Sequence, residues 1–162
     1  MKRCLSLAAL ALLTAACADA GAEVTATTAS ALTSCSADIE SVLVAATDGL
    51  TWPSESDSPI DILVEPGRGD REPTAEAVRA LFGVSADAPI EERSLEELDD
   101  IASPEPGDPT ITERYQSLHH VLEEELGDVR FFSFGENRVG VYIVGRTRCG
   151  DLAGIHASAT ET

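Results

Sequence analysis

Lysine is nearly missing from this chain of 162 residues: Lys2 is the only one, and Lys plus Arg number 11 against 29 Asp and Glu, for a formal charge of −18. So negative a protein argues against nucleic acid and anionic membrane surfaces as partners, because both are polyanions. It favours a basic partner, with solubility alone as the plain alternative. Aromatic residues are also scarce, at 4%. No apolar run is long enough to cross a bilayer, which takes about 20 residues. The longest uncharged stretch, Cys4 to Ala18, follows Lys2 and Arg3 and contains Leu5, Leu7, Leu10, Leu12 and Leu13. A basic start, a short apolar run and then small residues make a secretory leader.

Two cleavage sites fit. Leu13-Thr14-Ala15-Ala16-Cys17 looks like a bacterial lipoprotein box, in which Cys17 becomes lipidated, and this is the preferred reading. Ala18-Asp19-Ala20 before Gly21 is an ordinary small-x-small signal and leaves a secreted protein. The expected organisation is a leader over 1–17, a flexible tether rich in Ala, Thr and Ser over 18–35, and one domain over 36–162. The protein is thus expected outside the cytoplasm, in the envelope or secreted, with membrane contact only through the lipid anchor. Loss of Lys2 and Arg3 takes the formal charge from −18 to −20, since every Asp and Glu lies beyond residue 17. Cys35 and Cys149 then remain, and in an oxidising compartment the expected state is one disulfide, with two separate buried thiols as the alternative.

Ser36 is placed to cap a helix with Ile39, Val42, Leu43 and Ala46 on one face and Gly49 as its stop. Thr51 to Pro59 reads as a loop crowded with acceptors, Ile60 to Val64 as a strand and Pro66 to Gly69 as a turn. Thr74 caps a second helix carrying Val78, Leu81 and Phe82 and ended by Gly83. Pro89 to Arg93 is a strand, and Ser94 with Glu97 has capping-box spacing before Leu95, Leu98 and Ile101. Three prolines make 104–109 irregular. A long helix then carries Ile111, Tyr115, Leu118, Leu122 and Leu126, with Gly127 at its end. Strands follow over Val129–Phe134, Val139–Arg146 and Leu152–Ala157. Alternation followed by a hairpin points to helices packed on a mixed sheet.

Chemistry is hard to find. His119 and His120 are neighbours about 100° apart on the long helix, so they do not face one site. The His119/Glu123 and His120/Glu124 pairs read as a solvated helix face, and His156 stands alone. Gly145-x4-Gly150 has Asp151 where a phosphate-binding lysine belongs. No nucleophile–base pair is legible, so the expectation is a binding protein rather than an enzyme, with no cofactor and no metal of its own.

Two features exceed the needs of a plain domain: the acceptor-rich loop around Glu55, and the tail ending Thr160-Glu161-Thr162, whose terminal carboxylate is an anion suited to a cationic cleft. Asp48-Gly49-Leu50, Ser54-Glu55-Ser56 and Pro59, with Val141-Tyr142, Gly145, Thr147, Gly150, Leu152-Ala153-Gly154-Ile155 and the final Glu161-Thr162, resemble the nuclease A inhibitor family from about Asp38 to the last residue. Those small proteins bind and block sugar-nonspecific endonucleases. The resemblance implies a three-layer α/β/α sandwich around a small mixed sheet, and a monomer before complex formation. It implies that Glu55 and the Thr162 carboxylate enter the basic nuclease active site. There they would meet arginines and, through water, the nuclease-bound Mg²⁺. Ser54, Ser56, Glu105 and Glu161 are the accompanying contact candidates. The family's Gln-Asp-Trp contact cluster is absent here: its place is taken by Ser103-Pro104-Glu105-Pro106-Gly107-Asp108, where Glu105 stands in for the glutamine and no aromatic is present.

Overall fold

The computed structural model describes residues 35–66, 72–101 and 108–160. The leader, Cys17, the tether up to residue 34, most of the turn after Pro66, Glu105 and its loop, and Glu161 with Thr162 lie outside the described residues.

The chain opens with helix α1, described over 35–47. Ile39 and Leu43 are buried, but Val42 is 37% exposed, so the apolar stripe is narrower than its spacing suggested. Ser36 does not stand before this helix as its cap: it is buried inside the helical segment, and its Oγ donates to Asp151 Oδ2 at 2.8 Å. Gly49 stops the helix in the left-handed region (φ 64°), where a side chain would be strained.

The stretch from Thr51 to Pro59 is more than a loop. Strands β1 (Thr51–Trp52) and β2 (Ser58–Pro59) pair antiparallel, with Thr51 opposite Pro59 and Trp52 opposite Ser58. Strand β3 (Asp61–Glu65) follows, then helix α2 (Ala75–Phe82). Its ends are those expected: Thr74 accepts from the Ala77 N–H, and Gly83 closes it at φ 68°. Strand β4 is Ile90–Arg93.

Helix α3 (Glu97–Ile101) begins later than expected, and its capping box is half formed. Glu97 accepts from the Ser94 N–H at 3.0 Å, while the Ser94 hydroxyl accepts from Glu96 instead of Glu97. That backbone donor, with Arg93 beside it, holds the Glu97 carboxyl below its usual range. Helix α4 (Pro109–Glu125) corrects the view of 104–109 as wholly irregular. Asp108 caps it through the Thr110 N–H, and Pro109 sits in its first turn, where no N–H is needed. At its other end, Leu126 turns directly to extended backbone (φ −120°), so Gly127 already belongs to the next strand.

Strands β5 (Leu126–Phe134), β6 (Arg138–Thr147) and β7 (Leu152–Thr160) form a meander. The five-stranded sheet has order β3-β7-β6-β5-β4, and every pair is antiparallel. The fold is therefore mixed α/β, but the sheet itself is not mixed. β3 and β4, joined through α2, do run parallel, yet the meander separates them at opposite edges.

Strand alternation divides the core in two. One cluster joins Ile39 and Leu43 of α1, Leu98 of α3, and Tyr115, Leu118 and Leu122 of α4 to Phe131, Val141, Ile143 and Ile155. The other sets Val78 and Phe82 of α2 against Phe132, Phe134, Tyr142 and Val144. Cys35 and Cys149 are joined in a disulfide, tying α1 to the β6–β7 turn.

Candidate functional site

The small β1–β2 hairpin positions Glu55. Its base is fixed from beneath by Trp52, 3% exposed and edge-on to Phe131 with ring centroids 6.0 Å apart. From the side, the Tyr115 hydroxyl of α4 donates to the Thr51 carbonyl, and Arg114 Nη1 donates to the Gly49 carbonyl at 3.4 Å. Burial, with the Asp57 carboxylate nearby, pushes the Tyr115 phenol up to about 12, so this donor keeps its proton through the neutral range. At the tip, Ser54 Oγ donates to the Ser56 carbonyl at 2.7 Å and closes the turn that carries the exposed Glu55.

The far side of the hairpin meets the last strand. Ser58 Oγ accepts from the Ser158 backbone N–H at 3.2 Å. Ser58 is three residues from Glu55, and Ser158 four from Thr162. At roughly 3.5 Å per extended residue, those tethers span at most about 11 and 14 Å. β7 runs to Thr160, which lies opposite Arg138 of β6. Arg114 and Tyr115, in the second turn of α4, border the same hairpin.

A chain with this sequence and this hairpin can be placed among known proteins. Residues 37–162 match the family model described as nuclease A inhibitor-like protein. The chain belongs to the nuclease A inhibitor-like family. The match spans most of its length and takes in the Ser54-Glu55-Ser56 turn and the chain end together. At family level this suggests a nuclease inhibitor with a nuclease as partner. The comparison with curated proteins gives no match.

Of the expected contact residues, Ser54, Glu55 and Ser56 share the hairpin tip, while Glu105, Glu161 and Thr162 fall outside the described residues, as does the lipidation candidate Cys17. The fixing contacts through Trp52, Tyr115, Ser58 and Ser158 escaped the sequence reading. A lone tryptophan two residues before a serine-rich turn was the available signal.

The solvated reading of the histidines holds for His120 only, whose side chain is 68% exposed. His119 is 13% exposed, and its Nδ1 lies 3.0 Å from Asp99 Oδ2, so it joins α4 to α3. His156 is half-buried on β7, its ring tilted 33° against that of Tyr142 at 4.6 Å between centroids, with Asp61 at 3.6 Å. Its burial holds the imidazole below the usual value, outweighing Asp61. Among the described residues, no group of three or more His, Cys, Asp or Glu is arranged to hold a metal, and no helix is long and apolar enough to cross a membrane.

Proposed function

We propose that this protein is an exported inhibitor of a sugar-nonspecific nuclease, and that Glu55 and the C-terminal carboxylate of Thr162 fill the nuclease active site where substrate phosphate would lie. The observation that carries the reading is the Ser58–Ser158 hydrogen bond, which anchors the Glu55 hairpin and the final strand to one point. Two carboxylates tethered to a common anchor reproduce the charge of a phosphate, and arginines would bind them by charge-assisted hydrogen bonds. The Mg²⁺ in this scheme belongs to the nuclease. Export is supported by the leader and by the disulfide, which suits an oxidising compartment. Clusters on both sides of the sheet support the three-layer arrangement. Mass spectrometry of the mature N-terminus separates lipidated Cys17 from cleavage before Gly21.

The test is DNA hydrolysis by a sugar-nonspecific endonuclease in the presence of the protein. Glu55→Gln keeps size and removes charge; breaking a desolvated charged contact costs about 2–5 kcal/mol, roughly 30- to several-thousand-fold in affinity. A short tag after Thr162 should do similar harm, and Glu124→Gln, on the exposed face of α4, should change little. Full inhibition by both the tagged and the Glu55→Gln proteins would refute the mechanism. The second reading, an envelope lipoprotein of the same fold that binds a different protein, is favoured by the missing aromatic in 103–108. Failure of the wild type against any such nuclease would select it.

A further inference from the structure

Strand β4 forms the edge of the five-stranded sheet opposite β3, and Pro89, Ile90, Glu91 and Glu92 are exposed in succession along it. The Gly135 N–H donates to the Pro89 carbonyl at 3.0 Å. In an antiparallel ladder that bond fixes the phase. Glu91 and Arg93 face Ser133 and Phe131 with their backbone groups, while Ile90 and Glu92 aim theirs away from β5. Side chains close this outer row at both ends: Arg79 Nη2 donates to the Ala88 carbonyl at 2.7 Å, and Glu97 Oε1 accepts from the Ser94 N–H at 3.0 Å. Between them, the outward N–H and C=O groups of Ile90 and Glu92 carry no hydrogen bond to any described residue. An open row of that kind is a template for one more strand.

The side chains select which strand. Ile90, opposite Phe134, and Glu92, opposite Phe132, lie on the α2 face, and Glu91 lies on the other. Ile90 is 44% exposed. Beside Glu92 is a cleft of about 390 Å³ bordered by the exposed Glu72, Glu76 and Asp128, with Arg130 the one cation in its wall. Arg130 pairs with Glu92 at 2.9 Å in an exposed ion pair, a kind too weak to keep other cations out. A second copy of this chain fits badly. Antiparallel pairing of β4 with itself about Glu91 and Glu92 sets like charges directly opposite each other, which destabilises a sheet, on a chain of formal charge −18. The complement is a segment with basic residues facing Glu92 and Glu91 and an apolar residue facing Ile90. Every pair in this sheet is antiparallel, the more stable arrangement per residue. Such a segment therefore reads basic–basic–apolar from its N-terminus.

We propose that β4 takes up an extended basic–basic–apolar segment of another protein as an added antiparallel strand. The segment exchanges backbone hydrogen bonds with Ile90 and Glu92. Its first basic side chain enters the cleft beside Glu92, its second meets Glu91, and its apolar side chain covers Ile90. The Glu55 hairpin is bound to β7, three strand spacings from β4, or about 14 Å at roughly 4.8 Å each. The proposal goes beyond the inhibitor reading and does not rest on it.

The test uses the acetylated, amidated pentapeptide Thr-Arg-Arg-Val-Thr, titrated to millimolar concentration and followed by amide NMR shifts and hydrogen exchange. In the free protein the Ile90 and Glu92 amides should exchange fast and those of Glu91 and Arg93 slowly. The peptide should slow the first pair and give saturable shifts along β4. N-methylation of its first arginine, whose N–H donates to the Glu92 carbonyl, should weaken binding about tenfold or more. N-methylation of the second arginine, whose N–H points away from β4, should change it by no more than about threefold. The exposed pair Glu91→Lys/Glu92→Lys should weaken the arginine peptide about tenfold and admit Thr-Glu-Glu-Val-Thr in its place. Slow exchange of Ile90 and Glu92 in the free protein would overturn the proposal, because the edge would already be covered. So would the absence of saturable shifts, or equal effects of the two N-methyl groups, which would mean attraction by charge alone. A concentration-dependent dimer protecting the same amides would overturn it in favour of a second copy.

Discussion

Reduction of the Cys35–Cys149 bridge removes a cross-link that closes 114 residues of chain. In the chain-entropy treatment, a loop of that length restricts the unfolded state by about 4.8 kcal/mol at 25 °C, and measured effects are typically about 2–4. The folded state has little reason to change. Leu43 of α1 is fully buried, Ile39 nearly so, and Ser36 Oγ still donates to the buried Asp151 beside the bridge. The loss therefore falls on the denatured ensemble, and a stabilisation of about 2–5 kcal/mol should disappear. With a urea m-value of about 1–3 kcal/mol/M for a domain of this size, the midpoint should drop by roughly 1–3 M. The slope m should increase, because the reduced unfolded chain exposes more surface. The measurement is urea unfolding followed by circular dichroism, with and without reductant, and in a Cys35→Ala/Cys149→Ala variant. Two results would refute the reasoning. A shift below about 0.5 kcal/mol would mean the unfolded chain is already compact around these residues. Loss of native near-ultraviolet signal on reduction, before any denaturant, would mean the bridge holds the folded state itself in place.

Three further perturbations bear on particular contacts. Tyr115→Phe removes the hydroxyl that holds the Thr51 carbonyl; it should cost about 0.5–1.5 kcal/mol in urea unfolding and weaken nuclease inhibition by no more than about tenfold, with unchanged inhibition showing that the hairpin needs no tie to α4. Gly154→Ala would drive a Cβ into the Ile143 carbonyl oxygen and within 2.8 Å of Val144 Cα, so a loss of about 3 kcal/mol or more is expected, read from thermal unfolding. For His156 the folded imidazole titrates below 6.5, so as pH falls through that value the unfolded chain takes up a proton that the folded chain refuses. The stability is present above pH 6.5 and is lost progressively down to the lowered folded value; His156→Gln should flatten that part of the Tm–pH curve, and an unchanged slope would contradict the burial argument.

Local signals carried the elements that local chemistry decides. Thr74 and Gly83 bound α2 as capping rules require, and the β-rich run after residue 128 becomes the meander. The bridge between Cys35 and Cys149 followed from compartment and cysteine number. What escaped is non-local. Two-residue strands such as Thr51–Trp52 and Ser58–Pro59 are shorter than any alternation pattern, and they exist because Trp52, Tyr115 and Ser158 hold them. His119 looked solvated because its partner Asp99 belongs to another helix, α3. The alternation of helices and strands pointed to a mixed sheet, but the three C-terminal strands entered between β3 and β4, and no periodicity records where a later strand inserts. At the site, the type of residue was legible in Ser54-Glu55-Ser56, and the scaffold beneath it was not.

Both ends of β7 carry weight, and they carry different kinds. At the Leu152 end, Asp151 takes the Ser36 hydroxyl, its own N–H donates to Thr147 Oγ1 at 3.0 Å, and the disulfide lies two residues upstream. These contacts close the chain covalently and by buried hydrogen bonds, so they govern unfolding. At the Thr160 end, Ser158 holds the hairpin by one exposed hydrogen bond. A contact of that kind contributes little to global stability and much to where a loop points. Carboxylates that must lose water against a cationic cleft gain most when their positions are set beforehand, since ordering them during binding would subtract from affinity. The strand thus separates the two demands by its own length, about 27 Å for 8 steps between Leu152 and Thr160 at roughly 3.4 Å each. Changes at Asp151 should therefore move Tm and spare the Glu55 surface, whereas changes at Ser58 should do the reverse.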